Sequence, residues 1–273
     1  MGVSTTGITA ICIIIGVFVF VGGALIISHF RSGNMKQEMV KLFKEKYPDV
    51  TYIPDNGISR EDYLNMHLLK IGSTFEASDN IAGKAADGTE FNYCEVNTYS
   101  IKMTHRNLNP LDVSPKRETE FKGAILVFKR EKIIDGQIVI KSRGLLEGKG
   151  FDKSNVNEHD FDDDGNIIKE WHTLETDSVN FNKSFQLYTK NDEEAFYILR
   201  PDIMEALVEL DKRYTWGMDV CFIGDLLYLA IPELDLLEPD GLTINNNKSK
   251  KEETALIDQA MNEINYIIRI LKK

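Results

Sequence analysis

The chain has 273 residues, with 43 acidic against 32 basic side chains and a formal net charge of −11 at pH 7. Residues 31–46 hold five basic and two acidic side chains, so residues 47–273 carry a net −14. A part that acidic repels phosphate backbones, which argues against nucleic acid as a partner.

The first thirty residues contain no Asp, Glu, Lys or Arg. Within them Ile8 to Ser28, ITAICIIIGVFVFVGGALIIS, gives 21 mostly apolar residues. At ~1.5 Å rise per residue such a helix spans the ~30 Å hydrocarbon core, and a helix satisfies its own backbone groups in lipid. A cleaved signal peptide would need a basic start, a shorter apolar run and a small-x-small site. Here MGVSTTG has no basic side chain, the run is too long, and SHFRSG follows it. The expected organisation is a transmembrane anchor over residues 1–30, a juxtamembrane helix over 31–47 and one cytoplasmic domain over 48–273. Arg31, Lys36, Lys41, Lys44 and Lys46 follow the apolar run and nothing basic precedes it. The positive-inside rule therefore puts the large domain in the cytoplasm. The lipid bilayer is the first expected partner, and the basic stretch suits an anionic leaflet. Cys12 falls in the apolar run while Cys94 and Cys221 are isolated, a pattern of buried reduced thiols rather than disulfides.

Between Asn34 and Tyr47, Met35, Met39, Leu42 and Phe43 recur at helical spacing. The segment SREDYLNMHLLKIG (Ser59–Gly72) reads as a second helix, with Ser59 as N-cap, Asp62 as its acidic partner and Gly72 as the stop. EFNYCEVNTYSIKM and EFKGAILVFKREKIIDGQIVIKSRG then alternate or run apolar, which predicts strands. Asp135-Gly136 between EKII and QIVI predicts a type I′ hairpin. Further strands are expected in NIIKEWHTLE and FQLYT. DIMEALVELDKRY, after Pro201, is an amphipathic helix, and WGMDVCFIGDLLYLAIP reads as two strands joined near Gly224-Asp225. The last segment places Ile257, Met261, Ile264, Ile268 and Leu271 on one helical seam. NLNPLDVSPK and EPDGLTINNNKS read as loops. The expected class is α+β: a mainly antiparallel sheet flanked by helices, preceded by one N-terminal transmembrane helix.

In this order the pieces SDNIAG (Ser78–Gly83), the CEV strand with Glu95, FKG (Phe121–Gly123), VNFNKSFQLYTKNDEEAFYILRPDIMEAL (Val179–Leu207) and DVCFIGDLLYLAIP (Asp219–Pro232) resemble a bacterial membrane-anchored family known as domain of unknown function 3137. Phe181 and Phe185, then Glu194-Ala195, Leu199-x-Pro201 and Met204 are its most specific stretch; Arg200 departs from the Thr common there. The resemblance implies a membrane segment, an α+β cytoplasmic domain, no assigned activity, and LemA-type membrane proteins as companions in genomic context.

The most chemically loaded run is HDFDDDGN, His159–Asn166. Counted from Asp160, a calcium loop finds Asp160, Asp162, Asp164, Gly165 and Ile167 in place, but position 12 is Trp171 instead of a bidentate Glu. Asp-Gly recurs at Asp87-Gly88, Asp135-Gly136 and Asp240-Gly241, so the run reads foremost as a solvated turn, with a weak cation site as the alternative. No two of the five histidines share helical ligand spacing, although His159 and His172 flank the acidic turn. No G-x-S-x-G, Walker A or G-x-G-x-x-G motif occurs, and no cofactor is expected. Asp79 and Glu95 remain. Either could act as a general base, or tie a loop to the sheet, and the absence of an evident partner acid or nucleophile favours the tie. The expected function is a non-catalytic interaction or scaffold protein at the inner face of a bacterial plasma membrane. The alternatives are a membrane-tethered enzyme of hydrolase type using Asp79 or Glu95, and a weak cation binder through Asp160, Asp162 and Asp164.

Overall fold

The computed structural model describes residues 36–105, 113–143, 159–161, 167–237 and 250–272. Among them a first helix, α1, covers 36–46, followed by β1 (Val50–Ile53), α2 (Arg60–Asn65), β2 (Thr74–Lys84), β3 (Glu90–His105) and β4 (Val113–Lys129). Next come β5 (Gln137–Ser142), β6 (His159–Phe161), β7 (Ile167–Glu170), β8 (His172–Leu174), α3 (Val179–Ser184), β9 (Phe185–Thr189) and α4 (Asp192–Ile198). The chain finishes with α5 (Pro201–Arg213), β10 (Asp219–Ile223), β11 (Leu226–Pro232) and α6 (Lys250–Leu271). Nine strands form one sheet in the order β1-β2-β3-β4-β11-β10-β5-β9-β8, and β6 pairs with β7 apart from it. Among the described residues the strand pairs are antiparallel, so the mainly antiparallel α+β class is confirmed. No helix among the described residues is long and apolar enough to cross a membrane, and the predicted span Ile8–Ser28 lies outside them.

The central strands are apolar on both faces because both faces are covered. Ile138 and Ile140 of β5, Val220 and Phe222 of β10, Leu227, Leu229 and Ile231 of β11, and Leu126 and Phe128 of β4 pack on one side against α1, α3, α4, α5 and α6. Val139, Cys221, Ala230 and Ile125, the alternate positions, pack on the other side with Tyr63 of α2 and Met66 and Leu68 after it. Helix α6 buries Ile257, Met261, Ile264, Ile267, Ile268 and Leu271 along its seam. At ~1.5–3 kcal/mol for each large side chain, that burial contributes on the order of 10 kcal/mol before chain entropy opposes it.

Three expectations fail for traceable reasons. Asp135-Gly136 does not join a hairpin, because the β10–β11 hairpin sits between β4 and β5 in the sheet. The backbone N–H groups of Asp135 and Gly136 donate instead to Glu194 Oε1 and Oε2, at 3.1 Å each. The helix expected over Ser59–Gly72 stops at Asn65, with His67 at φ +51°. Its later carbonyls serve other groups: Met66 O accepts from Gln137 Nε2, Leu68 O from Lys141 Nζ and Lys70 O from Tyr63 Oη. The loop NLNPLDVSPK is strand from Val113 onward, where β4 pairs with β3 as far as His105.

That last pairing builds an extension. Residues 100–105 and 113–118 pair only with each other, since β2 reaches no farther than Tyr99 and β11 no farther than Gly123. The result is a two-stranded ribbon projecting from the sheet. Ile101 and Met103 are 58% and 69% exposed on it, and period-two alternation puts them on the same face as Tyr99. Arg117, opposite Ile101, lays its guanidinium 3.4 Å from the Tyr99 ring centroid.

Candidate functional site

Sequence reasoning singled out Asp79 and Glu95 separately, and the sheet brings them together. In the β2–β3 ladder Ser78 pairs with Glu95 and Ile81 with Tyr93, so Asp79 and Asn80 oppose Cys94 in a β-bulge. Asp79 takes φ +54°, a left-handed conformation that a non-glycine residue adopts only when its surroundings demand it. The demands are visible. Asp79 N donates to Pro54 O at 2.9 Å, and Tyr52 Oη donates to Asp79 Oδ1 at 2.5 Å. Asn80 is buried and donates to Asn92 Oδ1 at 2.5 Å. The bulge thus stitches β1, β2 and β3 at one level.

A third carboxyl group arrives from far along the chain. Glu95 pairs with Ala124 across β4, and the neighbouring Gly123 pairs with Pro232 at the end of β11. Gly123 has φ +154°, and a Cβ there would lie 2.3 Å from Ile231 O, so only glycine permits this close approach. Glu233 then turns the chain at φ +56° and donates its N–H to Lys122 O at 2.9 Å. Asp235 is delivered to Glu95, with which it shares a side-chain hydrogen bond. Tyr93 Oη accepts from Leu236 N at 3.2 Å and donates to Glu95 Oε1 at 3.3 Å.

The electrostatics follow from this crowding. Burial, then the charges of Asp235 and Asp79, push the Glu95 pKa up to about 9, so Glu95 is a neutral acid at physiological pH. Asp79 is also raised, chiefly by burial, while the hydroxyls of Tyr52 and Ser78 and the Lys36 ammonium pull it back. Burial drives the Tyr93 phenol well above its ordinary range. A protonated carboxyl beside a carboxylate can hold and pass a proton. It can equally fasten the chain leaving β11 to the sheet. Burial raises Cys94, behind the bulge, to about 12, so it is an inert thiol.

The other sequence candidates are not gathered here. His159 and Asp160 lie on β6, opposite Glu170 and Lys169 of β7, while Asp162 and Asp164 lie outside the described residues. His172 Nε2 lies 2.6 Å from Asp192 Oδ1. Among the described residues no three His, Cys, Asp or Glu side chains are arranged to hold a metal ion. Asp235 was missed from sequence because 140 residues separate it from Glu95, and they meet only through pairing of β11 with β4 and the turn that follows it.

No curated protein matches the chain. A solved structure, that of the mycobacterial trehalose monomycolate transport factor A, TtfA, is similar at 10% identity and a TM-score of 0.38, covering 86% of this chain and 95% of that one. The model of a family described as a protein of unknown function, DUF3137, matches residues 119–273. That stretch runs from inside β4 through α6, taking in Phe181, Phe185, Glu194 and Pro201 and leaving Asp79 and Glu95 outside it. With more than half of its length matched, the chain belongs to the DUF3137 family.

Proposed function

We propose that this protein is a non-catalytic interaction protein held at the inner face of a bacterial plasma membrane by the apolar segment Ile8–Ser28. The observation that carries the reading is the projecting β3–β4 ribbon, with Ile101 and Met103 exposed beside Arg117. An exposed apolar stripe on a strand pair that, among the described residues, pairs with no further strand is what a partner would cover. Its place also fits: Lys36 pairs with Asp55, just past the end of β1, in the same half of the sheet as the ribbon. A partner anchored in the same membrane therefore suits the ribbon, and LemA-type membrane proteins are the class the family's genomic context favours. Affinity purification of the full chain from detergent-solubilised membranes is expected to retain a specific membrane protein and to lose it in an Ile101→Glu, Met103→Glu double variant. Failure to retain any partner, or retention unchanged by the double variant, would sink the reading. Protease added to right-side-out vesicles tests the orientation, since cleavage of the large domain from outside would reverse it.

One observation supports a second reading, a membrane-tethered hydrolase. Glu95 is a neutral acid next to two carboxyl groups, all three half-buried, and strained backbone at Asp79 holds the group in place. In that case Glu95 is the proton donor and Asp79 or Asp235 the base. Any hydrolysis of generic ester, phosphoester or glycoside substrates must then fall by at least about a hundredfold in Glu95→Gln. Activity that survives the substitution ends this alternative.

A further inference from the structure

At the opposite end of the sheet from the carboxyl cluster, three basic side chains meet where the β4–β5 connection crosses the β10–β11 turn and the α4–α5 corner. Arg130 N donates to Asp225 O at 2.7 Å and Ile134 N to Gly224 O at 3.2 Å, which lays residues 130–134 over that turn. Lys132 Nζ donates to Tyr197 O at 3.2 Å and sits 4.1 Å from the Tyr197 ring centroid. Arg200, three residues on, is the N-cap of α5 and pairs with Asp202 at 2.9 Å. Burial first and neighbouring cations second lower the proton affinities of two of them: Arg200 acts on Arg130, and Arg200 and Arg130 act on Lys132.

Arg130 is the unusual member. It is only 6% exposed, its guanidinium carbon lies 4.8 Å from the Phe222 ring centroid, and its Nε is buried with no hydrogen-bond partner. Buried guanidinium groups are ordinarily paired with a carboxylate or another anion, because desolvating an unpaired charge is costly. Acids outnumber bases in this chain, yet among the described residues none is paired with Arg130. The carboxylates close by are committed elsewhere: Asp202 to Arg200, and Glu194 to the N–H groups of Asp135 and Gly136. Glu131, between Arg130 and Lys132 in sequence, is exposed.

We infer that Arg130, Lys132 and Arg200 form a binding site for a phosphoryl group, with Arg130 as its buried anchor. Asp202 is paired with Arg200, and the Glu194 carboxylate faces the N–H groups of Asp135 and Gly136, so Arg130 and Lys132 are the cations directed at an incoming phosphoryl group. The fork of Arg130 offers the planar donors that phosphoryl oxygens accept, and Lys132 adds a point charge at the rim. The exposed side chains of Ile133, Phe196 and Tyr197 neighbour these residues in the chain and give the rim an apolar component. The phosphoryl group can come from a soluble phosphate ester or from a lipid headgroup. Position favours the soluble source. Along β4, Lys129 is five residues beyond Ala124, the partner of Glu95, and at ~3.3 Å per residue that is about 17 Å farther from the Lys36 end of the sheet.

The test is calorimetric titration of the full chain in detergent at pH 8 and fixed ionic strength, with inorganic phosphate as the probe. Saturable binding is expected at millimolar or lower concentration, weakened at least about tenfold in Arg130→Met and several-fold in Lys132→Gln. Absence of saturable binding to about 20 mM, equal affinity for acetate, or unchanged affinity in a folded Arg130→Met overturns the site. If Arg130→Met does not fold, Lys132→Gln decides: wild-type affinity in that variant overturns the proposal. Glycerol 3-phosphate and soluble dihexanoyl phosphatidic acid separate the sources. Equal affinities support a soluble ester, and a lipid preference beyond about tenfold overturns that source in favour of a headgroup.

Discussion

Lys141, on β5, and Arg130, one residue past β4, are the buried basic side chains among the described residues, at 9% and 6% exposure. Lys141 Nζ is held by Asp219 Oδ2 and by Leu68 O at 2.5 Å, and the other oxygen of Asp219 accepts from Ser142 N at 3.0 Å. Ser142 Oγ in turn donates to Asp211 at 2.7 Å. The buried cation there has its carboxylate, and the surrounding polar groups are hydrogen-bonded by partners from β5, β10, α5 and the segment after α2. Arg130 has an aromatic face on one side and, among the described residues, no carboxylate partner. Inside one sheet, then, one buried cation is closed by the fold and the other is left open. A closed pair belongs to folding, whereas an open cation is available to a ligand.

Removing the charge from each site separates the two. Lys141→Met strands the Asp219 carboxylate, which is mostly buried, and is expected to cost ~3–5 kcal/mol. Combining it with Asp219→Leu should restore most of that loss, because the penalty lies in the unpaired charge and not in the missing bond. Urea unfolding followed by Trp171 and Trp216 fluorescence measures both. A double variant as unstable as the single one would show that shape, and not charge, governs this site.

The carboxyl cluster offers a third way of handling buried charge, neutralisation by a proton. The Glu95 carboxyl titrates near 4.5 when unfolded and about 9 when folded. Between those values the folded chain holds one more proton, so stability falls as pH rises through that window. In Glu95→Gln this slope disappears. Because Glu95 is half-buried rather than sealed, the variant should exceed the wild type by only ~1–3 kcal/mol at pH 9 and match it near pH 5. A wild-type stability flat from pH 5 to 9 would contradict the assignment.

How much of this the sequence disclosed depended on how local the signal was. Helices α5 and α6 were legible because their apolar residues repeat with the helical period, and the β10–β11 turn because Gly224 takes φ +57° at Gly224-Asp225. The same dipeptide chemistry misled at Asp135-Gly136, where distant strands intervene and Glu194 takes the turn's N–H groups. Helices α3 and α4 are six and seven residues long, too short to show a period. Their N-caps Ser178 and Asn191 were the only local signals. Asp79 and Glu95 were found by residue type, but Asp235 and the meeting of Arg130, Lys132 and Arg200 depend on contacts that no local pattern encodes.

The Glu194 contact gives a smaller and sharper probe of the open site. Its carboxylate accepts two backbone N–H groups just after residues 130–134, so Glu194→Gln should cost ~1–2 kcal/mol, the worth of charge-assisted bonds exchanged for neutral ones. If it also weakens phosphate binding while Glu193→Gln does not, the loop's position, beyond the net charge, sets the geometry around Arg130. Equal weakening by both variants would reduce the contact to bulk electrostatics.

The smallest stability effect is expected from Arg130→Met, made with the same replacement that is so costly at Lys141. Methionine keeps the apolar bulk of the arginine stem against Phe222 and removes a guanidinium whose desolvation no carboxylate offsets. The cation–π contact at 4.8 Å is lost, worth ~0.5–2 kcal/mol, and the relief of burying an unpaired charge opposes that loss. Without phosphate the variant should therefore lie within ~1 kcal/mol of the wild type, on either side. With phosphate the wild type should gain stability in proportion to the logarithm of ligand concentration, and the variant should not. Measured in urea with and without phosphate, a loss of ~3 kcal/mol that phosphate does not alter would make Arg130 a second Lys141, closed by the fold.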